Sequence, residues 1–302
     1  MAVRMLDVLD VPIAEYARSS CPSEGAPAAL SDQLREALPH ALERQEFELH
    51  YQPIFALEPF QLIGMEALLR WRHDYQEPVR PEQFIAAAED SGDIHAITTW
   101  VFTTACRDFA RIQRRTGQAL QLSFNLSAYC VNHPCFIPWF CELLDDVPHV
   151  TEFLHIEITE TSALVWTQRL LDFFQRLQVL GISTWLDDFG RGYSNLKYAA
   201  DLPLKGIKMD RSLLTNVTED PRSAQFYQDI LQLAHNLGLE VTAEGVEQAG
   251  ELRFLQISRC DYGQGFLFAP AMPIARFMDY VEASKTTGFP NPKEFATLQQ
   301  TQ

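Results

Sequence analysis

The chain has 302 residues, 47% of them hydrophobic and 21% charged, enough to bury one large core or two small ones. A formal net charge of −16 leaves no excess of Lys and Arg to displace phosphate counterions, which excludes broad binding to nucleic-acid polymers or anionic lipid. The acids inside Met1-Ala2-Val3-Arg4-Met5-Leu6-Asp7, the lack of a membrane-length apolar run and six cysteines without a Cys-x-x-Cys pair fit a cytoplasmic protein with reduced thiols.

In chain order, residues 1–30 read as an appendage that ends in the Pro/Gly-punctuated stretch Ser19 to Ala29. Residues 31–284 read as the main domain and 285–302 as a tail. Ser31 caps a helix carrying Leu34, Leu38 and Leu42, and an alternating strand comes next at 47–54, stopping at Pro53. Further strand signals lie near 61–70, 119–126, 152–159, 182–187, 204–209, 239–243 and 259–262. Helical stretches fall between them at roughly 81–90, 95–115, 134–145, 164–180, 221–237, 247–257 and 273–284. Eight strands alternating with helices, and no Gly-x-Gly-x-x-Gly loop after the first strand, predict an α/β fold of the (β/α)8 barrel type.

The chemistry collects at the strand tips. Strand five follows Gly181 and delivers Asp187-Asp188 at its end before a glycine-punctuated loop, and two adjacent carboxylates at a buried tip call for a hard divalent cation. The other tips carry Glu66, Asn125, Glu157, Glu160, Lys208, Glu244 and, after the eighth strand, Gln264. In a barrel these side chains converge on one mouth, where two cations bridged by a carboxylate can clamp a phosphodiester and a lysine can orient water. Taken singly each has a plainer reading: Lys208 as an ion pair, Asn125 as a turn residue, Glu160 as a capping acid. Cys130, His133 and Cys135 lack the paired spacing and fourth ligand of a structural zinc site.

The ordered motifs Tyr51-Gln52-Pro53, Glu66-Ala67-Leu68-Leu69-Arg70-Trp71, Asn125-Leu126-Ser127, Glu157-Ile158-Thr159-Glu160, Asp187-Asp188-Phe189-Gly190, Lys208-Met209-Asp210, Glu244-Gly245-Val246-Glu247 and Gln264-Gly265-Phe266 resemble those of the EAL-domain cyclic di-GMP phosphodiesterases, from about Phe47 to Ala283. The resemblance implies a TIM-like barrel whose first strand is antiparallel to the rest. It implies that Glu66, Asn125, Glu157 and Asp187 bind one ion, Mg2+ or Mn2+, and that Asp187 bridges to a second held with Asp188 and Glu244. Lys208 would contact the attacking water with Glu244 as general base. Gln52, Leu68, Arg70 and Gln264 would meet substrate, and Glu247 would support the mouth. The loop after Asp188 resembles the family's lid and dimer-coupling loop, anchored by Glu160. Departures are Asn195 for serine, Met209 for isoleucine and Phe266 for tyrosine, none of them a ligand.

The same resemblance implies hydrolysis of cyclic di-GMP to linear pGpG, inhibition by Ca2+, a homodimer formed through the barrel, and the N-terminal appendage as the place for a regulatory partner. The alternative is a catalytically weak cyclic di-GMP receptor, which a missing ligand would favour. A third reading is a one-metal barrel enzyme with Lys208 as base, against which the paired aspartates argue. Asp188-Phe189-Gly190 also matches the protein-kinase magnesium motif, but no His-Arg-Asp accompanies it, and no diguanylate cyclase motif is present.

Overall fold

The computed structural model of the protein describes residues 32–72, 79–159, 167–191 and 202–287. Helix α1 (Asp32–Ala41) buries Leu34, Leu38 and Ala41 and leads into the hairpin of β1 (Phe47–Leu57) and β2 (Phe60–Trp71). The hairpin is antiparallel, with Gln52 opposite Glu66. The strands β3 (Gln121–Leu126), β4 (Leu154–Thr159), β5 (Ser183–Phe189), β6 (Gly206–Met209), β7 (Glu240–Ala243) and β8 (Tyr262–Gly263) then pair in parallel, each with the next. β8 pairs back onto β1 through Phe55 and Ala56, closing an eight-stranded α/β barrel whose first strand is antiparallel to its neighbours.

The helices end where their sequences say they must. Pro81 opens α2 (Pro81–Ser91), and left-handed Gly92 and Gly117 close α2 and α3 (Ile94–Thr116). α3 turns Ile97, Val101, Phe102, Ala105, Phe109 and Ile112 into the core at helical spacing. α5 (Phe136–Asp145) fills the expected 134–145 region, a short helix α4 (Ala128–Asn132) that the sequence reading did not include precedes it, and α6 (Gln168–Val179) is capped by Thr167. α7 (Arg211–Leu214) comes directly after β6, α8 (Pro221–Asn236) is capped by Asp220, and α9 (Ala249–Ile257) and α10 (Ile274–Thr287) complete the outer ring.

Two features depart from the sequence reading. The first strand does not stop at Pro53 but runs to Leu57. On its second edge it pairs with a two-residue strand β9 (Met272–Pro273) at His50 and Tyr51 and with β8 only from Phe55, so residues 52–54 have no ladder partner there and a proline is tolerated. The eighth strand is short and late, Tyr262–Gly263 rather than 259–262, because Cys260 still bonds back to Leu255 at the end of α9.

Inside the barrel, below the mouth, the Trp185 ring stacks on His155 at 5.6 Å and approaches Tyr262 at 6.0 Å. Gly206 makes room for it: a Cβ there would lie 2.4 Å from Trp185 Cζ3 and from the Glu240 carbonyl oxygen. Cys106, Cys130, Cys141 and Cys260 are buried thiols without disulfides, and among the described residues no helix is long and apolar enough to cross a membrane.

Candidate active site

Lys208 sits at the centre of the mouth. β6 is only four residues long and buried throughout, so the lysine leaves a rigid strand and its side chain is 2% exposed. Its Nζ lies 2.8 Å from Glu157 Oε2, 2.8 Å from Glu244 Oε1, 3.1 Å from Glu66 Oε2 and 3.5 Å from Asp187 Oδ1. These carboxylates arrive on β4, directly after β7, on β2 and on β5, which only the closed barrel brings together. Asn125 Nδ2 donates to Glu66 Oε1 at 2.8 Å, which leaves its carbonyl oxygen for another partner. Gln264 Nε2 donates both to Glu66 Oε2 and to Gln52 Oε1, while Gln264 Oε1 is buried without a hydrogen-bond partner.

Charge inside this ring is uneven. Burial works against ionising Lys208, but Asp187, Glu157, Glu244 and Glu66 hold the ammonium well above the usual lysine range. Burial likewise opposes ionisation of Glu66, yet Lys208 and the bonds from Gln264 and Asn125 keep that carboxyl below its ordinary value. Glu157 goes the other way: burial and the Glu66 charge push it well up. Asp187 is raised by burial and by Glu66 and Asp188, against the pull of Lys208. Glu244 is pushed up to about 8 by burial, opposed by Lys208 and reinforced by Asp187 and Glu66. Such a set binds a cation more readily than it bears its own charge.

Two successive residues of a strand ordinarily face opposite ways. Asp187 and Asp188 escape that rule because the β5–β6 register slips between Leu186 and Phe189 and Asp188 adopts a left-handed φ of 55°. The Asp188 N–H donates to Asp187 Oδ1 at 2.9 Å, fixing the pair. Asp187 then points at Lys208, and Asp188 joins Asp210 and Glu244 in a second group whose ligand oxygens lie within 4.8 Å of one another. Among the described residues this is the one such carboxylate, His or Cys group; Cys130 instead lies 3.6 Å from Thr98 Oγ1 and forms no zinc site. Asp210 went unassigned in the sequence, although its motif was visible. It also caps α7 by accepting from the Ser212 N–H at 2.8 Å. A donor set of carboxylates and one amide, without thiol or imidazole, fits hard divalent cations.

A cleft of about 270 Å³ opens over this centre, lined by Gln52, Glu66, Leu68, Glu244, Glu247 and Gln264 among others. The expected substrate residue Arg70 does not line it; its Nη1 donates to the Leu69 carbonyl at 2.9 Å. Glu160 and Asn195 lie outside the described residues.

Comparison with known proteins places these features in context. The EAL domain family model matches residues 35–271. The cyclic di-GMP phosphodiesterase NbdA of Pseudomonas aeruginosa is 35% identical over 265 residues, covering 85% of this chain and 33% of that protein. The bifunctional diguanylate cyclase/cyclic di-GMP phosphodiesterase MucR of the same species is 35% identical over 249 residues, covering 82% of the chain and 36% of MucR. The chain thus spans about a third of the length of these relatives. Among solved structures, the PaMucR phosphodiesterase in its c-di-GMP complex superposes with a TM-score of 0.74 at 34% identity, covering 81% of this chain and 99% of that one. The EAL enzyme Bd1971 with cAMP and cyclic-di-GMP bound gives 0.77 at 30% identity, covering 83% and 68%.

Proposed function

Because the chain belongs to the EAL domain family, we propose that it hydrolyses cyclic di-GMP to linear pGpG with the aid of two divalent cations, Mg2+ or Mn2+. The observation that carries this reading is the completeness of the mouth: Glu66, Glu157, Asp187 and Glu244 surround Lys208, Asn125 bonds to Glu66, and Asp188 and Asp210 form a group with Glu244. Glu66, Asn125, Glu157 and Asp187 would hold one ion, and Asp187, Asp188 and Glu244 the other, with Asp210 added by its position. Bound there, the ions would supply Lewis acidity toward the phosphoryl oxygens and ease the deprotonation of water.

The chain's own groups do the rest. Glu244 would serve as the general base that takes a proton from water. The Lys208 ammonium orients that water and offsets charge growing on the phosphoryl oxygens. A bond forms between water oxygen and phosphorus, the bond from phosphorus to the ribose 3′ oxygen breaks, and that oxygen takes up a proton. Gln52, Leu68 and Gln264 bear on substrate from the cleft wall, Arg70 from beside it, and Glu247 supports the rim. The barrel domain of residues 31–284, the appendage 1–30 as a regulatory attachment, Glu160 as loop anchor, a homodimer and a cytoplasmic setting belong to the same proposal.

The test is incubation of purified protein with cyclic di-GMP and chromatographic separation of products. Mg2+ or Mn2+ should support turnover, a chelator should abolish it, and Ca2+ should bind yet inhibit, being tolerant of looser geometry. Full activity in chelator would refute the scheme.

A further inference from the structure

One wall of the cleft is not accounted for by the chemistry at its floor. Arg211 is the only cationic side chain among the described residues that line the cleft, whose other charged walls are Glu66, Glu244 and Glu247. Its guanidinium is held in place although its side chain is 61% exposed: Nη1 and Nη2 donate to the two oxygens of Glu247, each at 2.7 Å. Its stem lies flat on Gly245, where a Cβ would come within 2.6 Å of Arg211 Cβ and Cγ, and Gly245 has a φ of 65°. The same segment is stapled to the turn carrying Phe266, just after β8: the Val246 N–H donates to the Gln264 carbonyl at 3.0 Å and the Leu267 N–H to the Val246 carbonyl at 2.9 Å. Between those two bonds Phe266 projects into the cleft, 65% exposed, a large apolar ring on a pinned backbone.

An exposed ring on a rigid wall is a stacking platform for a planar base, and every base has a face to offer it. A guanidinium whose terminal nitrogens already hold a carboxylate keeps further N–H donors on its other edge, where it matches paired acceptors in one plane. Guanine presents such a pair in O6 and N7, whereas adenine replaces the O6 acceptor with an amino donor. Building on the proposed cyclic di-GMP activity, we infer that Arg211, oriented by Glu247, is a specificity-determining residue that reads the guanine acceptor edge of a base stacked on Phe266. The Arg211 guanidinium pairs with Glu247 and not with the carboxylates around Lys208, so it selects the substrate rather than performing the chemistry.

The experiment compares cyclic di-GMP with cyclic di-AMP, each by kcat/KM in Mg2+ and by Kd from calorimetric titration, for the parent, Arg211→Met, Arg211→Lys and Phe266→Ala. Arg211→Met keeps the stem on Gly245 and should melt close to the parent, since an exposed ion pair contributes little. The preference for cyclic di-GMP should fall roughly ten- to a hundredfold in Arg211→Met, the range of one bidentate base contact. Arg211→Lys should lose most of it too, because an ammonium keeps the charge but not the fork. Phe266→Ala should raise KM for both dinucleotides alike, since stacking does not discriminate. A preference that is unchanged in Arg211→Met, or a fall equal for both dinucleotides, overturns the assignment, as does a parent without any preference. A parent that binds with the preference yet hydrolyses neither refutes the phosphodiesterase reading, and the ratio of Kd values then decides the role of Arg211.

Discussion

Lys208→Met removes the one cation around which four carboxylates are arranged while keeping a side chain of similar length. Truncating one partner of a buried ion pair costs about 3–5 kcal/mol, because the remaining charge is left without compensation. For a domain of this size each kcal/mol moves the melting temperature by about 2–4 °C, so in chelator the variant should melt roughly 6–20 °C below the parent. The deficit should depend on pH with a definite sign. Burial and mutual repulsion raise Glu157, Asp187 and Glu244 even with the lysine present, Glu244 to about 8. A carboxyl raised on folding binds its proton more tightly in the folded state, so its contribution to stability is present at low pH and is lost as pH rises from the ordinary carboxylate range through the raised value. Without Lys208 the deficit should therefore be small at pH 5 and largest at pH 8. Mg2+ should recover much of it at pH 8, and the ion-induced rise in melting temperature should exceed the parent's. Turnover should stay low even then, since the proposed water-orienting group is missing. Differential scanning calorimetry across pH 5–8, with chelator and with Mg2+, reads all of this. A variant that melts with the parent at pH 8 in chelator, or that Mg2+ does not rescue, refutes the charge-balance reasoning.

Three further outcomes are expected. Glu66→Ala takes away a proposed ion ligand and the acceptor for Asn125, Gln264 and Lys208, and should lower turnover at least about a hundredfold while weakening metal binding in calorimetric titration. Asp210→Asn keeps an oxygen for the Ser212 N–H, and asparagine caps as well as aspartate, so its melting temperature should hold while its affinity for Mn2+ falls. Gly206→Ala forces a methyl against Trp185 and the Glu240 carbonyl and should destabilise by about 1–3 kcal/mol or more, read by urea unfolding.

The barrel was legible because alternating strand and helix signals survive without tertiary knowledge, and the floor of the site because its donors stand at strand ends. Each strand delivers its side chain to the mouth by simple alternation, so Glu66, Glu157 and Lys208 meet as their positions imply. What escaped the sequence depends on how distant segments touch. Nothing local says that Pro53 sits where β1 lacks a ladder partner, since that gap is set by β8 and β9, far along the chain. Asp210 has no assigned role in the sequence, and becomes a ligand candidate only because the slipped β5–β6 register carries Asp188 toward it. Arg211 and Glu247 are 36 apart in the chain, and their pairing requires α7 to lie against the loop after β7. Arg70, by contrast, is in the expected strand but turns toward its own backbone.

The left-handed backbone at Asp188 has an evolutionary consequence. Glycine and asparagine occupy that conformation at least as comfortably as aspartate, and each is one nucleotide change from an aspartate codon. Either substitution would empty one proposed ligand position while relieving, or leaving unchanged, the local conformational cost. Selection for folding therefore does not guard this carboxylate; only selection for turnover does. A lineage released from the need for the proposed hydrolysis can shed it here in a single step and keep an intact barrel with its cleft, so loss of catalysis and loss of structure need not travel together in this scaffold.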